Sequence, residues 1–168
     1  MTIDHRRQVR KPIASTFILV LAVCVALVLP AHGGQRTAPE LPPGSPDLMQ
    51  PQDLVKVLQS RDAKPLVLYV GPRFLYAQAH IPGAEFIGPA TDSQSWERLR
   101  KQVAALPKNS PIVLYCGCCP WEHCPNVRPA FKELQALGFK KVKVLYLANS
   151  LGTNWVEKGY PVEKGEAR

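Results

Sequence analysis

The sequence predicts an α/β domain, built as a mostly parallel sheet with helices on both faces. Apolar runs of strand length recur along the chain: Pro65–Val70, Pro111–Tyr115 and Val142–Leu147. They are continuous rather than alternating, as strands buried on both faces are. Between them lie stretches with helical periodicity. That alternation is the rhythm of βαβ units, and βαβ units make parallel pairs.

Each element has its own signal. Asp53 is a helix cap, followed by LVKVLQS with Leu54, Val55, Val57 and Leu58 on its apolar side. The run Pro65–Val70 is a buried strand that stops at Gly71-Pro72. Phe74–Ala79 is a short helix and Ala84–Ile87 a short strand. Asp92 or Ser93 opens the helix SQSWERLRKQVAAL, which ends before Pro107. Pro111–Tyr115 is the clearest strand. Pro125 or Asn126 starts the helix NVRPAFKELQAL, closed by Gly138. Val142–Leu147 is the next strand, and Trp155–Lys158 is a last helical turn before Gly159-Tyr160-Pro161. Trp96 and Trp155 are expected in the core.

The N-terminal part is different in kind. Met1–Lys11 is basic, and Ile13–Leu29 is then seventeen residues without a charge, followed by Pro30 and Ala31. A basic region, an apolar core and small residues after it make a secretory leader over residues 1–33. The expectation is export to the periplasm or beyond, with cleavage near Ala31 or Gly33. An uncleaved leader that tethers the domain to a membrane is the alternative. Residues 34–52 read as a proline-rich linker, because proline fixes φ and lacks an N–H. The folded domain is expected over 53–168. Of the formal charge of +8, the leader carries +3. The remaining lysines are scattered apart from Lys140, Lys141 and Lys143. That describes a solvated basic face and excludes a nucleic-acid partner.

Four segments then stand in a telling order: His80-Ile81-Pro82-Gly83-Ala84 after Tyr76, Ile112–Cys116, Leu134–Phe139 (LQALGF), and Trp155 with Gly159-Tyr160-Pro161-Val162. Together they resemble rhodanese domains, in family order. The resemblance implies an α/β sulfurtransferase with no cofactor. In that family a cysteine thiolate at the end of the central strand takes sulfane sulfur from a small anion such as thiosulfate. It becomes a persulfide and passes the sulfur to a thiol or other thiophilic acceptor. The loop after the cysteine turns its N–H groups, here starting with Gly117, toward the persulfide. By strand end, Cys116 holds the nucleophile position. The chain departs from the pattern in its loop, GCCPWEHCP after Cys116, which is about five residues longer. Counting back from Leu134 places the nucleophile near Trp121. Asn126 falls where a loop arginine is usual, with Arg128 two residues later. Tyr69 and Gly71 replace an acidic residue and an arginine, and Ser150 and Leu151 replace paired glycines.

The loop residues carry the chemistry. A thiol becomes a good nucleophile when its pKa is lowered, and a helix N-terminus lowers it. Cys124 is nearest the start of the helix and gains most from that dipole. Cys118, Cys119 and Cys124 are alternative or resolving thiols, and His123 is a candidate proton shuttle. Arg128 and Arg73 are candidate anion binders. Trp121 is either a lid or an exposed aromatic, and Glu122 is expected to face solvent. His80 is expected to bond its ring to the backbone of the following turn. The same loop supports a metal reading through Cys116, Cys118, Cys119, His123 and Cys124. The spacing C-x-C-C-x4-C is unlike the paired CxxC of structural zinc sites, whereas copper(I) accepts two or three thiolates. Small labile disulfides, Cys116 with Cys118 or Cys119 with Cys124, make a redox module a further alternative. A non-catalytic binding domain is another.

Overall fold

The computed structural model describes residues 41–165. The leader read over 1–33 and the first part of the proline-rich stretch lie outside the described residues. Among the described residues, no helix is long and apolar enough to cross a membrane.

The sheet has five strands, all parallel: β1 (Leu48–Met49), β2 (Leu66–Tyr69), β3 (Glu85–Phe86), β4 (Ile112–Tyr115) and β5 (Val142–Leu145). Their order is β1-β5-β4-β2-β3, which puts β4 in the centre. Four helices connect them: α1 (Pro51–Gln59), α2 (Arg73–Gln78), α3 (Ser93–Val103) and α4 (Val127–Ala136). Leu68, Leu114 and Val144 pack against one layer, with Leu99 and Val103 of α3 and Phe131 and Leu134 of α4. Val67, Val113 and Leu145 pack against the other, with Leu54 of α1, Tyr76 of α2 and Trp155. The period of two along each strand splits the core in this way. Both faces are covered, as the unbroken apolar runs require.

Asp92 caps α3, its Oδ1 accepting the Gln94 N–H at 3.0 Å. Trp155 is fully buried and its Nε1–H donates to the Pro161 carbonyl at 2.8 Å. Trp96 is only half-buried at the margin of the α3–α4 core. The closing turn begins earlier than expected, at Gly152, and is wound as a π-type turn to Val156.

The linker expectation requires correction at its end. Leu48–Met49 joins the ladder: the Asp47 carbonyl accepts the Val144 N–H at 2.8 Å and the Met49 carbonyl accepts the Tyr146 N–H at 2.9 Å. An edge strand bonds on one side only, so flanking prolines do not forbid it. Leu41, upstream of this strand, is buried in the core. Helix α1 starts at Pro51 rather than at a cap on Asp53, because proline suits the first helical position. Asp53 instead pairs with Lys56 at 3.3 Å.

Candidate active site

Strand β4 delivers Cys116 onto the layer of α3 and α4, in line with Ile112 and Leu114. Its side chain is buried. The chain then reverses at Gly117, whose φ is +75°. A Cβ here would lie 2.7 Å from Leu151 Cβ and 2.8 Å from Leu151 N, so only glycine fits. The Gly117 carbonyl accepts the Leu151 N–H at 3.0 Å and pins the turn. The reversal brings Cys118 Sγ to 3.1 Å from Cys116 Sγ, and Cys119 Sγ lies 3.3 Å from Cys118 Sγ. A 3₁₀ turn, Trp121–His123, carries the chain on to Cys124, just before α4. The sulfurs of Cys116, Cys118 and Cys124 all lie within 4.8 Å of one another. Every one of these contacts is far longer than the roughly 2.05 Å of a disulfide, and the four cysteines are free thiols.

The two ends of the loop differ electrostatically. At Cys124, the neighbouring Cys116 thiol favours the anion first, and the backbone N–H groups of Asn126 and Val127 at the start of α4 favour it as well. Together they outweigh burial and bring the Cys124 pKa down to about 6. Cys116 is pushed up, first by its interaction with Cys124 and second by burial, and its S–H donates to Cys118 Sγ. Cys119 is pushed up to about 12, by burial first and then by the Cys118 contact. The surroundings therefore favour the anion at Cys124 and the neutral thiol at Cys116.

Asn126 ties the site together. It is buried, and its Nδ2 donates to Cys116 Sγ at 3.4 Å and, more weakly, toward Cys118 Sγ at 3.8 Å. Its Oδ1 accepts the Ala90 N–H at 2.9 Å, which links the thiols to the loop after β3. Trp121, Val127, Leu145 and Leu147 wall a small cavity beside Cys116 and Cys124. Its volume of about 10 Å³ has room for one water-sized body.

The rhodanese-like domain profile matches residues 50–148. The chain belongs to the rhodanese-like family. A search of curated protein sequences finds no match. Among solved structures, this rhodanese domain is similar to a thiosulfate sulfurtransferase from Pseudomonas aeruginosa, at 29% identity and a TM-score of 0.53. That match covers 71% of this chain but only 20% of the Pseudomonas enzyme. The BH2092 protein from Bacillus halodurans is 24% identical with a TM-score of 0.54, covering 69% of this chain and 75% of that one. The Alr3790 protein from Anabaena sp. is 23% identical with a TM-score of 0.53, covering 69% and 82%. These likenesses place the chain on a sulfurtransferase-type fold.

On that rhodanese frame the expected site residues divide into two groups. Cys116, Gly117, Cys118, Cys119 and Cys124 come together. His123 is exposed on the 3₁₀ turn and lies outside the mutually close sulfurs, and Glu122 faces solvent. Arg128 is engaged elsewhere: its guanidinium sits 5.0 Å from the Trp121 ring centroid and donates to the Trp121 carbonyl at 3.3 Å. Arg73 lies 4.3 Å over the Phe86 ring. Trp121 is not an exposed aromatic; it walls the cavity beside the thiols. It is buried, edge-on to Tyr146, and its Nε1–H has no hydrogen-bond partner among the described residues. His80 bonds back rather than forward, its Nδ1–H donating to the Tyr76 carbonyl at 2.8 Å, with the ring stacked on Tyr76. Gly71, where rhodaneses usually carry an arginine, roofs the site. A Cβ there would come 3.0 Å from Cys116 Sγ and 2.5 Å from the Tyr69 hydroxyl. Asn126 is the functional residue that sequence reasoning missed. Its signal was position: a polar residue at the junction of a cysteine-rich loop and a helix N-terminus.

Proposed function

We propose that the protein is a sulfurtransferase that carries sulfane sulfur as a persulfide on Cys124, with Cys116 as the neighbour that holds the proton. The observation that supports this reading is the seat of Cys124 on the Asn126 and Val127 N–H groups at the start of α4. This moves the nucleophile from Cys116, favoured by strand end alone, to the thiol whose anion the fold stabilises. Family membership and the likeness to a thiosulfate sulfurtransferase support the chemistry.

In the first step the Cys124 thiolate attacks the outer sulfur of thiosulfate. The sulfur–sulfur bond of thiosulfate breaks, sulfite leaves with the electron pair, and Cys124 holds the persulfide anion. In the second step the sulfur of an acceptor thiol attacks the terminal persulfide sulfur. The acceptor leaves as its own persulfide, and the Cys124 thiolate returns. The Asn126 and Val127 N–H groups stabilise the anion throughout. The cavity is too small for thiosulfate, so entry requires the loop between Gly117 and Pro125 to move. The proposal includes export, which rests on the leader over 1–33 and is checked by fractionating cells that express the full chain.

The test is intact mass measurement of the reduced full chain after incubation with thiosulfate. One added sulfur is expected, mapped to Cys124, with uptake reduced at least about 10³-fold in Cys124→Ser and only partly in Cys116→Ser. Sulfur mapped to Cys116 would overturn the assignment to Cys124. No added sulfur on any cysteine would overturn the sulfurtransferase reading itself.

A further inference from the structure

The cluster has properties that sulfur transfer does not require. Two cysteines suffice for a nucleophile and a proton-holding neighbour, yet a third sulfur, Cys118, is folded back onto Cys116 by the Gly117 turn at 3.1 Å. Cys116, Cys118 and Cys124 offer three sulfurs mutually within 4.8 Å, and among the described residues this is the group of cysteine, histidine and acidic side chains so placed. Cys119 touches Cys118 but is not in the mutual set. Arg128 stacks on Trp121 and donates to its carbonyl, and Arg73 lies over Phe86. The cavity beside Cys116 and Cys124 is walled by Trp121, Val127, Leu145 and Leu147 together with Gly117 and Cys119, and admits one water-sized body.

We propose that Cys116, Cys118 and Cys124 form a three-coordinate site for a soft monovalent cation, copper(I). Three sulfurs in a plane about a cation at a metal–sulfur length of about 2.3 Å stand about 4 Å apart. The sulfurs of this cluster, between 3.1 Å and 4.8 Å, bracket that spacing, so small side-chain rotations complete the site. The donor set decides the metal. Thiolates without an oxygen or imidazole partner suit soft metals, copper(I) and zinc among them, so the number of ligands separates the two. Structural zinc takes four ligands, and catalytic zinc takes three with a water in an open polar position. Here three sulfurs stand in one mutual set, and the small cavity beside Cys116 and Cys124 has no carboxylate or imidazole in its walls. On binding, the cation forms three copper–sulfur bonds, the thiol protons leave to solvent, and no electron is transferred. Asn126 Nδ2, which already donates to two of the three sulfurs, continues to do so toward the bound thiolates.

The site stands independently of the sulfur-transfer reading, because it is measured by metal retention alone. The experiment uses the full chain carrying Cys24→Ser, which removes the cysteine outside the loop. Copper(I) is supplied anaerobically with ascorbate and competed with bathocuproine disulfonate. One copper per chain is expected to be retained. Cys119→Ser keeps it. Cys118→Ser and Cys124→Ser each lose affinity by at least about tenfold. Cys118 is half-exposed, so Cys118→Ser spares the fold, which near-UV circular dichroism checks. No retained copper in the Cys24→Ser chain overturns the proposal. So does equal retention by Cys118→Ser, Cys124→Ser and Cys119→Ser, or zinc held in preference when both metals are offered. Thiosulfate uptake, followed on metal-free samples of the same chains, reports on sulfur transfer separately.

Discussion

The loop between β4 and α4 carries a cysteine at each end, and the two ends treat the same side chain in opposite ways. At the strand end, Cys116 continues an apolar row of Ile112 and Leu114 and is packed like a core residue. Its environment favours the neutral thiol. At the helix end, Cys124 is nearly as buried but meets backbone N–H groups that have no partner within the helix. Its environment favours the anion. Burial is therefore not what separates the two thiols. The contact between the two thiols comes first, and the helix N-terminus then adds N–H donors at Cys124 that a strand end does not supply.

The comparison makes predictions in order of size. The largest is the pH dependence of thiol reactivity. Cys124 is held down at about 6, so its thiolate is fully present above that pH and is lost as the pH falls through it. Below this point the rate of its alkylation by iodoacetamide, followed by peptide mass mapping, is expected to drop about tenfold per pH unit. Cys116, held up, is expected to stay unreactive across the same range. Rapid labelling of Cys116 near neutrality would break the contrast.

Next is Gly117→Ala. The substituted residue must hold φ near +75° and place its Cβ against the Leu151 backbone. The expected cost is about 2–3 kcal/mol, read from urea unfolding monitored by tryptophan fluorescence. A loss well below 1 kcal/mol would mean that the turn is not fixed as described.

The smallest is Asn126→Ala. It removes the donor to Cys116 and Cys118 and leaves the Ala90 N–H without its partner, at an expected cost of about 1–2 kcal/mol. The backbone donors to Cys124 remain. Its reactivity profile should therefore keep its midpoint, and a large upward shift would show that the side chain, rather than the helix start, sets the Cys124 pKa.

Much of this was legible along the chain. The runs Leu66–Tyr69, Ile112–Tyr115 and Val142–Leu145 are apolar without alternation, and such runs have few places to go except the middle of a covered parallel sheet. The cysteine-rich loop was legible for the same reason: it follows the strand with the clearest pattern. Leu48–Met49 was not. Two residues carry no periodicity, and their pairing with β5 is a contact across nearly a hundred positions of sequence. Trp121 could be read two ways because nothing in a loop's composition tells which of its aromatics turns inward.

What the sequence by itself determined is the alternation of β2 to β5 with the helices between them, the family resemblance, and a loop dense in thiols between β4 and α4. Those follow from local pattern, since apolar period, turn residues and capping act between near neighbours. Only the tertiary structure decided which sulfurs meet, that the Cys116 thiol stands beside Cys124 and adds to the effect of the helix start, and that Asn126 bonds to the cluster while Arg128 and His123 stand outside it. Those outcomes depend on where backbone N–H groups point and on a single glycine turn at Gly117. Both act in three dimensions between residues whose spacing along the chain does not encode the distance.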